Sequence, residues 1–458
     1  MIDSFPTIEI LDKNKLFKFI EGFKNDEIQS CVELGNKVMV IFRTHFLRKH
    51  TIPQLSGQIS KDIRDGYTGG AVDMYIPYNE DNTKIYCYDV NSLYPYVMKE
   101  FDMPVGKPTL FYGDIRKVDP NTFGFFYCKI IAPDNLEHPI IQTHVKTESG
   151  MRTIAPLGTW TDMVFSAEMD NAIKYGYKFE ILWGYKFKPK NIFKEYVETH
   201  YELRLTYLKS NPLNYIAKLL MNSLYGRFGM IDQFPEILIF DSKKSFNEFA
   251  KVFSEDILNT IDLGDKLLVK YISEDAKRST MLYGNLETHN VSIAIAAAIT
   301  AYARIHMSQF KNNLDYKLYY SDTDSAYFDK PLAKDMVSNT ILGKMKLENV
   351  LTKAIFLAPK TYCLLTEDDK LIYKVKGFSH DIELTMDDFE SLLFKESVLK
   401  KLQTKWNKHI SEGHIKVIDQ LYTLKVTENK RKLIYDNNNK LITTVPYVIN
   451  KDKEIINK

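Results

Sequence analysis

Two aspartates stand one residue apart in Tyr320-Ser321-Asp322-Thr323-Asp324-Ser325, flanked by Tyr319 before and by Ala326, Tyr327 and Phe328 after. The flanks read as two short strands within residues 317–328, with the acidic pair at the tip of a hairpin. Like charges held that close repel, and keeping them there costs stability unless a cation compensates. Mg²⁺ suits such a pair, because it prefers carboxylate oxygens and substrate phosphates. An isolated Asp-x-Asp is more often an exposed turn with no ligand at all. Here the aromatic flanks predict buried strands and a rigidly mounted turn.

A third carboxylate has a similar setting. Residues 84–90 (KIYCYDV) read as a strand rich in aromatic and β-branched residues. Asp89 ends it, where a lone buried carboxylate needs a partner. Tyr94-Pro95 is expected to close this strand, since the residue before a proline avoids the helical region. Cations drawn by Asp322 and Asp324 would supply the partner that Asp89 lacks. Two metal ions roughly 3.5–4 Å apart can clamp the attacking and leaving oxygens of an in-line displacement. Phosphoryl transfer needs little beyond such positioning and charge stabilisation.

Residues 191–208 and 216–228 are predicted helices, joined by the turn Ser210-Asn211-Pro212-Leu213-Asn214. Lys218, Asn222 and Tyr225 are spaced i, i+4 and i+7, so they share one helix face. A cation, an amide and a ring on one stripe can meet the phosphate, sugar and base of a nucleotide. An ordinary amphipathic helix ending at Gly226 has the same periodicity. Arg204 and Lys209 add positive charge where a triphosphate could dock.

The chain has 458 residues, 45% of them apolar and 26% charged, which excludes global disorder and allows about two to four domains. Its net charge is only +2, so any contact with nucleic acid needs a local basic surface. Lys425, Lys430, Arg431 and Lys432 offer either that surface or a solvated face. Cys31, Cys87, Cys128 and Cys363 lack zinc or redox spacing and are expected to be free thiols. No run of roughly 18 apolar residues is present, so no membrane partner is expected. Residues 291–303 read as a buried amphipathic helix, and the helical pattern over 293–310 overlaps it. Residues 14–50 look mainly helical, 101–190 mix short strands with Pro and Gly turns, and 230–285 look irregular. The three carboxylates lie far apart in sequence but at strand ends, so one sheet could gather them.

These residues resemble the motifs of family B DNA polymerases. Asp89-Val90-Asn91-Ser92-Leu93-Tyr94-Pro95 is similar to motif A, Lys218 with Asn222-Ser223-Leu224-Tyr225-Gly226 to motif B, and Tyr320–Ser325 to motif C. Tyr67-Thr68-Gly69-Gly70 resembles the YxGG motif, Lys360-Thr361-Tyr362 the KxY motif, and Lys374-Val375-Lys376-Gly377 the KxKG motif. The long segments between the motifs look like the insertions of protein-primed polymerases. The wording around the motifs is most similar to the group found on fungal and plant mitochondrial plasmids. The likeness covers residues 40–458.

The resemblance implies an α+β right hand with an antiparallel palm sheet. It divides the chain into an exonuclease or linker remnant (1–66), palm (67–100), first insertion (101–190), fingers (191–229), second insertion (230–290), palm (291–376) and thumb (377–458). Asp89, Asp324 and the Val90 carbonyl would hold two Mg²⁺ ions, or Mn²⁺, with Asp322 beside them. Tyr94 would exclude a ribose 2′-hydroxyl, while Lys218, Lys209 and Arg204 hold the triphosphate and Asn222 and Tyr225 check the base pair. Tyr67, Gly69, Gly70, Ser92, Ser223, Gly226, Lys360, Tyr362, Lys374 and Lys376 would hold template or primer.

The implied partners are template-primer DNA, deoxynucleoside triphosphates and a terminal protein, with the enzyme a monomer in mitochondria. Only 66 residues precede Tyr67, too few for the family's 3′–5′ exonuclease domain, and residues 25–36 look like its worn edge. Proofreading is therefore expected to be absent. Two rival readings stand beside the polymerase. One is a reverse transcriptase or RNA polymerase, against which Thr323 between the aspartates and the sugar-checking Tyr94 both speak. The other is an inactive DNA-binding remnant, against which the intact metal and nucleotide residues speak.

Overall fold

The computed structural model describes residues 31–47, 51–52, 55, 57–147, 150–229, 236–254, 256–264, 266–271, 292–378, 382–409, 414–426 and 430–457. Helices α1 (Cys31–His45) and α2 (Gly57–Asp65) lead into strands β1 (Val72–Met74) and β2 (Ile85–Val90), followed by α3 (Leu93–Glu100). Next come β3 (Met103–Tyr112), β4 (Gly124–Ile131), β5 (Thr143–Thr147), β6 (Gly150–Ile154), β7 (Leu157–Phe165), α4 (Ser166–Ile173) and β8 (Lys178–Lys190). Helices α5 (Lys194–Thr206) and α6 (Pro212–Phe228) precede β9 (Glu236–Phe240), α7 (Lys243–Phe253), β10 (Ile257–Asp262) and β11 (Leu267–Tyr271). Helix α8 (Ile293–Lys311) is followed by β12 (Leu318–Asp322), β13 (Ser325–Phe328), β14 (Met345–Ala358), β15 (Thr361–Thr366) and β16 (Leu371–Val375). The chain continues through α9 (Met386–Ser391), β17 (Leu399–His409), β18 (His414–Leu424), β19 (Lys432–Tyr435), β20 (Leu441–Val445) and β21 (Val448–Ile449).

The central sheet has seven strands in the order β1-β12-β13-β2-β14-β15-β16, and every pairing in it is antiparallel. Side chains alternate between its faces. Tyr88, Val90, Ala326 and Phe328 join the large core that contains α8, whose residues Ile293 to Arg304 are all buried. Ile85, Cys87, Tyr320, Tyr327, Phe356 and Leu364 form a second core with Leu441. A two-sided core explains why these strands lack polar alternation. Alanine dominates the first half of α8, so its neighbours can approach closely: α2, α3, α4 and α6 all pack against it.

Residues 103–190 build most of a second sheet, ordered β21-β7-β4-β8-β3, with its own core around Trp160, Phe126 and Tyr177. Its last strand comes from the C-terminal region, since β21 pairs in parallel with β7. Residues 432–449 thus run from the central sheet, where the Thr444 amide donates to the Tyr75 carbonyl at 3.0 Å, to the second one. Among the described residues no helix is long and apolar enough to cross a membrane.

Several local expectations shift. Tyr94 and Pro95 do not close β2; they sit in the first turn of α3, behind Ser92. The first amides of a helix have no intrahelical acceptor, so proline's missing N–H loses nothing there. Likewise Pro212 opens α6 at its first position, and the Asn211 side chain caps it by accepting from the Leu213 amide at 2.9 Å. The break between the helices is therefore residues 207–211. The described part of 230–285 is ordered: β10, β11 and β9 form a sheet covered by α7. Helix α8 is buried nearly all round rather than along one stripe. The basic cluster near the C-terminus is not one surface, because Arg431 is only 3% exposed and donates to the Glu137 carbonyl and the Thr444 hydroxyl. Cys87, Cys128 and Cys363 are buried free thiols. Of the helical segment read over 14–50, residues 14–30 and 48–50 lie outside the described residues, as do residues 25–30 of the worn exonuclease edge at 25–36.

Candidate active site

Strand register assembles the site. Asp89 lies directly opposite Ser325 on β13, Ser325 opposite Asp322 on β12, and Lys346 of β14 opposite Asp89 on its other side. Directly opposed residues project from one face. That face carries Cys87, Tyr327 and Tyr320 one step earlier, so an aromatic core gives way to carboxylates at the strand ends. The Val90 amide donates to the Asp324 carbonyl at 2.8 Å, tying the two acidic segments together. The turn itself is tight: the Asp324 amide donates to the Asp322 carbonyl at 2.6 Å, and Thr323 has φ +56°.

Burial, then the neighbouring Asp324 and Glu348, push the Asp89 carboxyl up to about 7, against the opposing pull of Lys346 and Lys218. Burial, then Asp322, also raises Asp324. Asp322 is engaged elsewhere, because Lys360 Nζ donates to both of its oxygens at 2.9 and 2.8 Å. Among the described residues no three Asp, Glu, His or Cys side chains form a ready coordination cluster. The structure thus brings Asp89 and Asp324 together and leaves Asp322 paired beside them.

The helical residues face this pair. Tyr94 of α3 stacks on Tyr225 of α6 with ring centres 4.0 Å apart and planes 24° apart. Burial and this neighbour hold the Tyr94 phenol well above its ordinary value, and the charge of Asp324 reaches both rings. Tyr67 is close enough to act on both rings as well. Lys218 lies on the exposed face of α6 and its charge reaches Asp89. Asn222 and Gly226 are exposed on the same helix, and Ser223 is half-buried. Arg204 Nη1 donates to the Ser92 hydroxyl at 3.1 Å, and Ser92 itself has φ +51°. Lys209 is exposed in the loop between α5 and α6, a loop pinned by Asn214 Nδ2 donating to the Arg204 and Tyr207 carbonyls at 2.7 and 2.8 Å.

The remaining predicted residues border the sheet. The Lys360 amide donates to the Tyr320 hydroxyl at 2.8 Å, and Tyr362 meets the Tyr320 ring edge-on at 5.6 Å. Lys374 lies opposite Tyr362 and is exposed. Lys376 is also exposed, and its carbonyl accepts from the Tyr422 hydroxyl of β18 at 3.0 Å. Gly69 and Gly70 lie beside the acidic turn, where the Thr323 amide donates to the Ala71 carbonyl at 2.8 Å.

Sequence reading missed the residues that hold this loop. Arg304 Nη1 donates to the Thr68 and Gly69 carbonyls at 2.7 and 2.9 Å, and its other nitrogens pair with Glu168 at 2.6 and 2.8 Å. Gln142 Nε2 donates to the Gly69 carbonyl at 3.0 Å, and His144 Nε2 bonds the Tyr67 carbonyl at the same distance. A lone charge ending an alanine-rich apolar run was a usable signal for Arg304. Nothing in the sequence pointed to Lys346, Glu168, Gln142 or His144.

A family described as DNA polymerase type B, organellar and viral, matches residues 11–315. The chain is 35% identical over 445 residues to a probable DNA polymerase of Ascobolus immersus, covering 96% of this chain and 36% of that protein. A probable DNA polymerase of Neurospora intermedia is 36% identical over 384 residues, covering 82% and 38%. The chain therefore spans between a third and two fifths of the length of these relatives. Among solved structures, phi29 DNA polymerase complexed with single-stranded DNA superposes with a TM-score of 0.63 at 19% identity, over 90% of this chain and 69% of that one. The same polymerase with primer-template DNA and incoming nucleotide gives 0.62 at 20% identity, over 90% and 70%. This likeness shows the expected α+β right-hand fold. With more than half of its length matched, the chain belongs to the type B DNA polymerases of organelles and viruses.

Proposed function

We propose that the chain carries out DNA-templated DNA synthesis, adding deoxynucleotides to a 3′ hydroxyl. The observation that carries this reading is the meeting of Asp89 with the 322–324 turn at one end of the central sheet. The donor set fits hard divalent ions. Two carboxylates face each other with incomplete countercharge, and burial raises both. Asp89, Asp324 and the Val90 carbonyl would hold the ions, with Asp322 beside them. Mg²⁺, or Mn²⁺, would supply charge stabilisation at the phosphates and a lowered pKa for the attacking hydroxyl.

The protein's own groups bind and orient. Lys218, Arg204 and Lys209 bind the triphosphate, and the Tyr94 ring lies under the incoming sugar where a 2′-hydroxyl would collide. Tyr225 and Asn222 line the nascent pair. Tyr67, Gly69, Gly70, Ser92, Ser223, Gly226, Lys360, Tyr362, Lys374 and Lys376 border the path of template and primer. Residues 67–100 and 291–376 serve as palm, 191–229 as fingers and 377–458 as thumb, with insertions at 101–190 and 230–290. The proposal extends, on the resemblance of the motifs alone, to replication of a linear mitochondrial plasmid from a terminal-protein hydroxyl, by a monomer; the match to organellar and viral polymerases supports the polymerase reading itself.

Purified chain, primed template, deoxynucleotides and Mg²⁺ test the reading. Extension that disappears with a chelator and with Asp89→Asn is expected. DNA binding without any extension by the intact chain would replace it with the inactive remnant.

A further inference from the structure

The residue between the two aspartates carries an unusual load. Thr323 is β-branched and yet sits at φ +56°, a left-handed conformation that such residues avoid. Something must hold it there, since left-handed backbone brings the Cβ of an L-residue too close to the following carbonyl. Its amide is held by the Ala71 carbonyl at 2.8 Å. Its side chain packs into the space left by Gly70: a Cβ on Gly70 would lie 2.6 Å from both Thr323 Oγ1 and Cγ2 and 3.0 Å from its Cβ. Gly70 does not have positive φ, so an L-residue fits its backbone, and only the space against Thr323 demands glycine. The Thr323 hydroxyl in turn donates to Asp322 Oδ1 at 3.2 Å.

The loop is itself anchored. Arg304 grips the Thr68 and Gly69 carbonyls and is buried against Glu168, while Gln142 adds a second hold on Gly69. A continuous chain of contacts therefore runs from the first insertion (Glu168, Gln142) through residues 68–71 to the middle of the acidic turn. We propose that Gly70 and Ala71 are positioning residues: they clamp Thr323 in its left-handed conformation and so set the direction in which Asp322 and Asp324 point. This inference rests on the polymerase reading of the site and assigns the loop a role toward the catalytic carboxylates, separate from any contact with DNA.

A suppressor experiment on the full chain decides it. Gly70→Ala drives a methyl group into Thr323, and a displacement of that size in a positioned site lowers kcat about 10²-fold. KM for primer-template is expected to stay within about two-fold, because the added methyl group is directed at Thr323. Thr323→Gly removes the colliding atoms and tolerates the left-handed backbone, so Gly70→Ala/Thr323→Gly is expected to match the rate of Thr323→Gly alone. Such non-additivity is the signature of residues in contact. If Gly70→Ala fails to fold while the double variant folds, the collision is equally supported. A double variant no better than Gly70→Ala in rate or folding overturns the proposal. So does a Gly70→Ala defect confined to KM, which would assign the glycine to DNA contact. An inactive wild-type chain would instead overturn the polymerase reading, so the two failures are distinct.

Discussion

Lys360 Nζ lies 2.8 and 2.9 Å from the two carboxylate oxygens of Asp322, whereas Asp324, two residues on, accepts at its carbonyl from the Val90 amide at 2.8 Å and bears electrostatically on Asp89. The aspartates of one turn are therefore unequal. Asp322 already has a cation, while Asp89 and Asp324 repel each other and call for one. Loss of a charge that stabilises the reacting phosphates removes about 4 kcal/mol or more, near 10³-fold in rate. Asp89→Asn and Asp324→Asn are expected to lose at least that much in single-turnover extension. Asp322→Asn is expected to lose only about ten-fold. Equal losses at 322 and 324 would contradict this ranking.

The stacked pair Tyr94–Tyr225, 4.0 Å between ring centres, forms a wall rather than two independent side chains. Tyr94→Val opens the space under the sugar and leaves Tyr225 in place. Pocket contacts of this kind discriminate by about 1–3 kcal/mol, so the preference for deoxynucleotides over ribonucleotides is expected to fall at least ten-fold. Competitive incorporation of the two triphosphates by the wild type and the variant measures it. An unchanged ratio would remove Tyr94 from sugar selection.

Much of this site was legible in the sequence, for physical reasons. Asp89, Asp322 and Asp324 stood out because aromatic and β-branched strands led up to lone carboxylates, a pattern with few stable explanations. Periodicity marked Lys218, Asn222 and Tyr225 on one helix face. What stayed hidden was long-range pairing. That Lys346 would lie beside Asp89, or Glu168 beneath Arg304, depends on strand register and helix packing between segments more than a hundred residues apart. Prolines misled in both helices that carry the Tyr94–Tyr225 stack, because Pro95 and Pro212 occupy first turns, where the missing amide is harmless. The basic look of residues 425–432 misled too, since composition cannot tell a solvated arginine from Arg431, which is buried and donates to Thr444 and Glu137.

Glu168 and Arg304 pair with side chains 9% and 7% exposed, and Arg304 spends its remaining donors on backbone carbonyls. Removing one partner of such a pair leaves an uncompensated buried charge and costs about 3–5 kcal/mol. Glu168→Gln is therefore expected to lower the urea midpoint markedly. Lys61→Ala breaks a pair whose side chains are 68% and 64% exposed, and it is expected to shift the midpoint negligibly. A Glu168→Gln variant as stable as Lys61→Ala would mean that the pair is dispensable to the loop.

His200 gives the fold an acid sensitivity with a definite window. Its Nδ1–H donates to the Tyr196 carbonyl at 2.7 Å, while Nε2 is buried with no partner among the described residues. Burial, opposed in part by that hydrogen bond, holds the imidazole down at about 4 against an ordinary 6.5. Between those values the unfolded chain binds a proton that the folded chain refuses, so stability rises with pH there. The contribution is fully present above pH 6.5 and is lost as pH falls toward 4, in total about 3 kcal/mol at this site. His200→Phe keeps the ring contacts with Phe46 and Tyr196 and removes the titrating group. Thermal unfolding midpoints between pH 7 and 4 are expected to fall less steeply in the variant than in the wild type. Some slope remains in both, because burial holds His138 lower still, at about 3. Parallel pH profiles for the two proteins would show that His200 is already charged in the folded state, and would place water at Nε2.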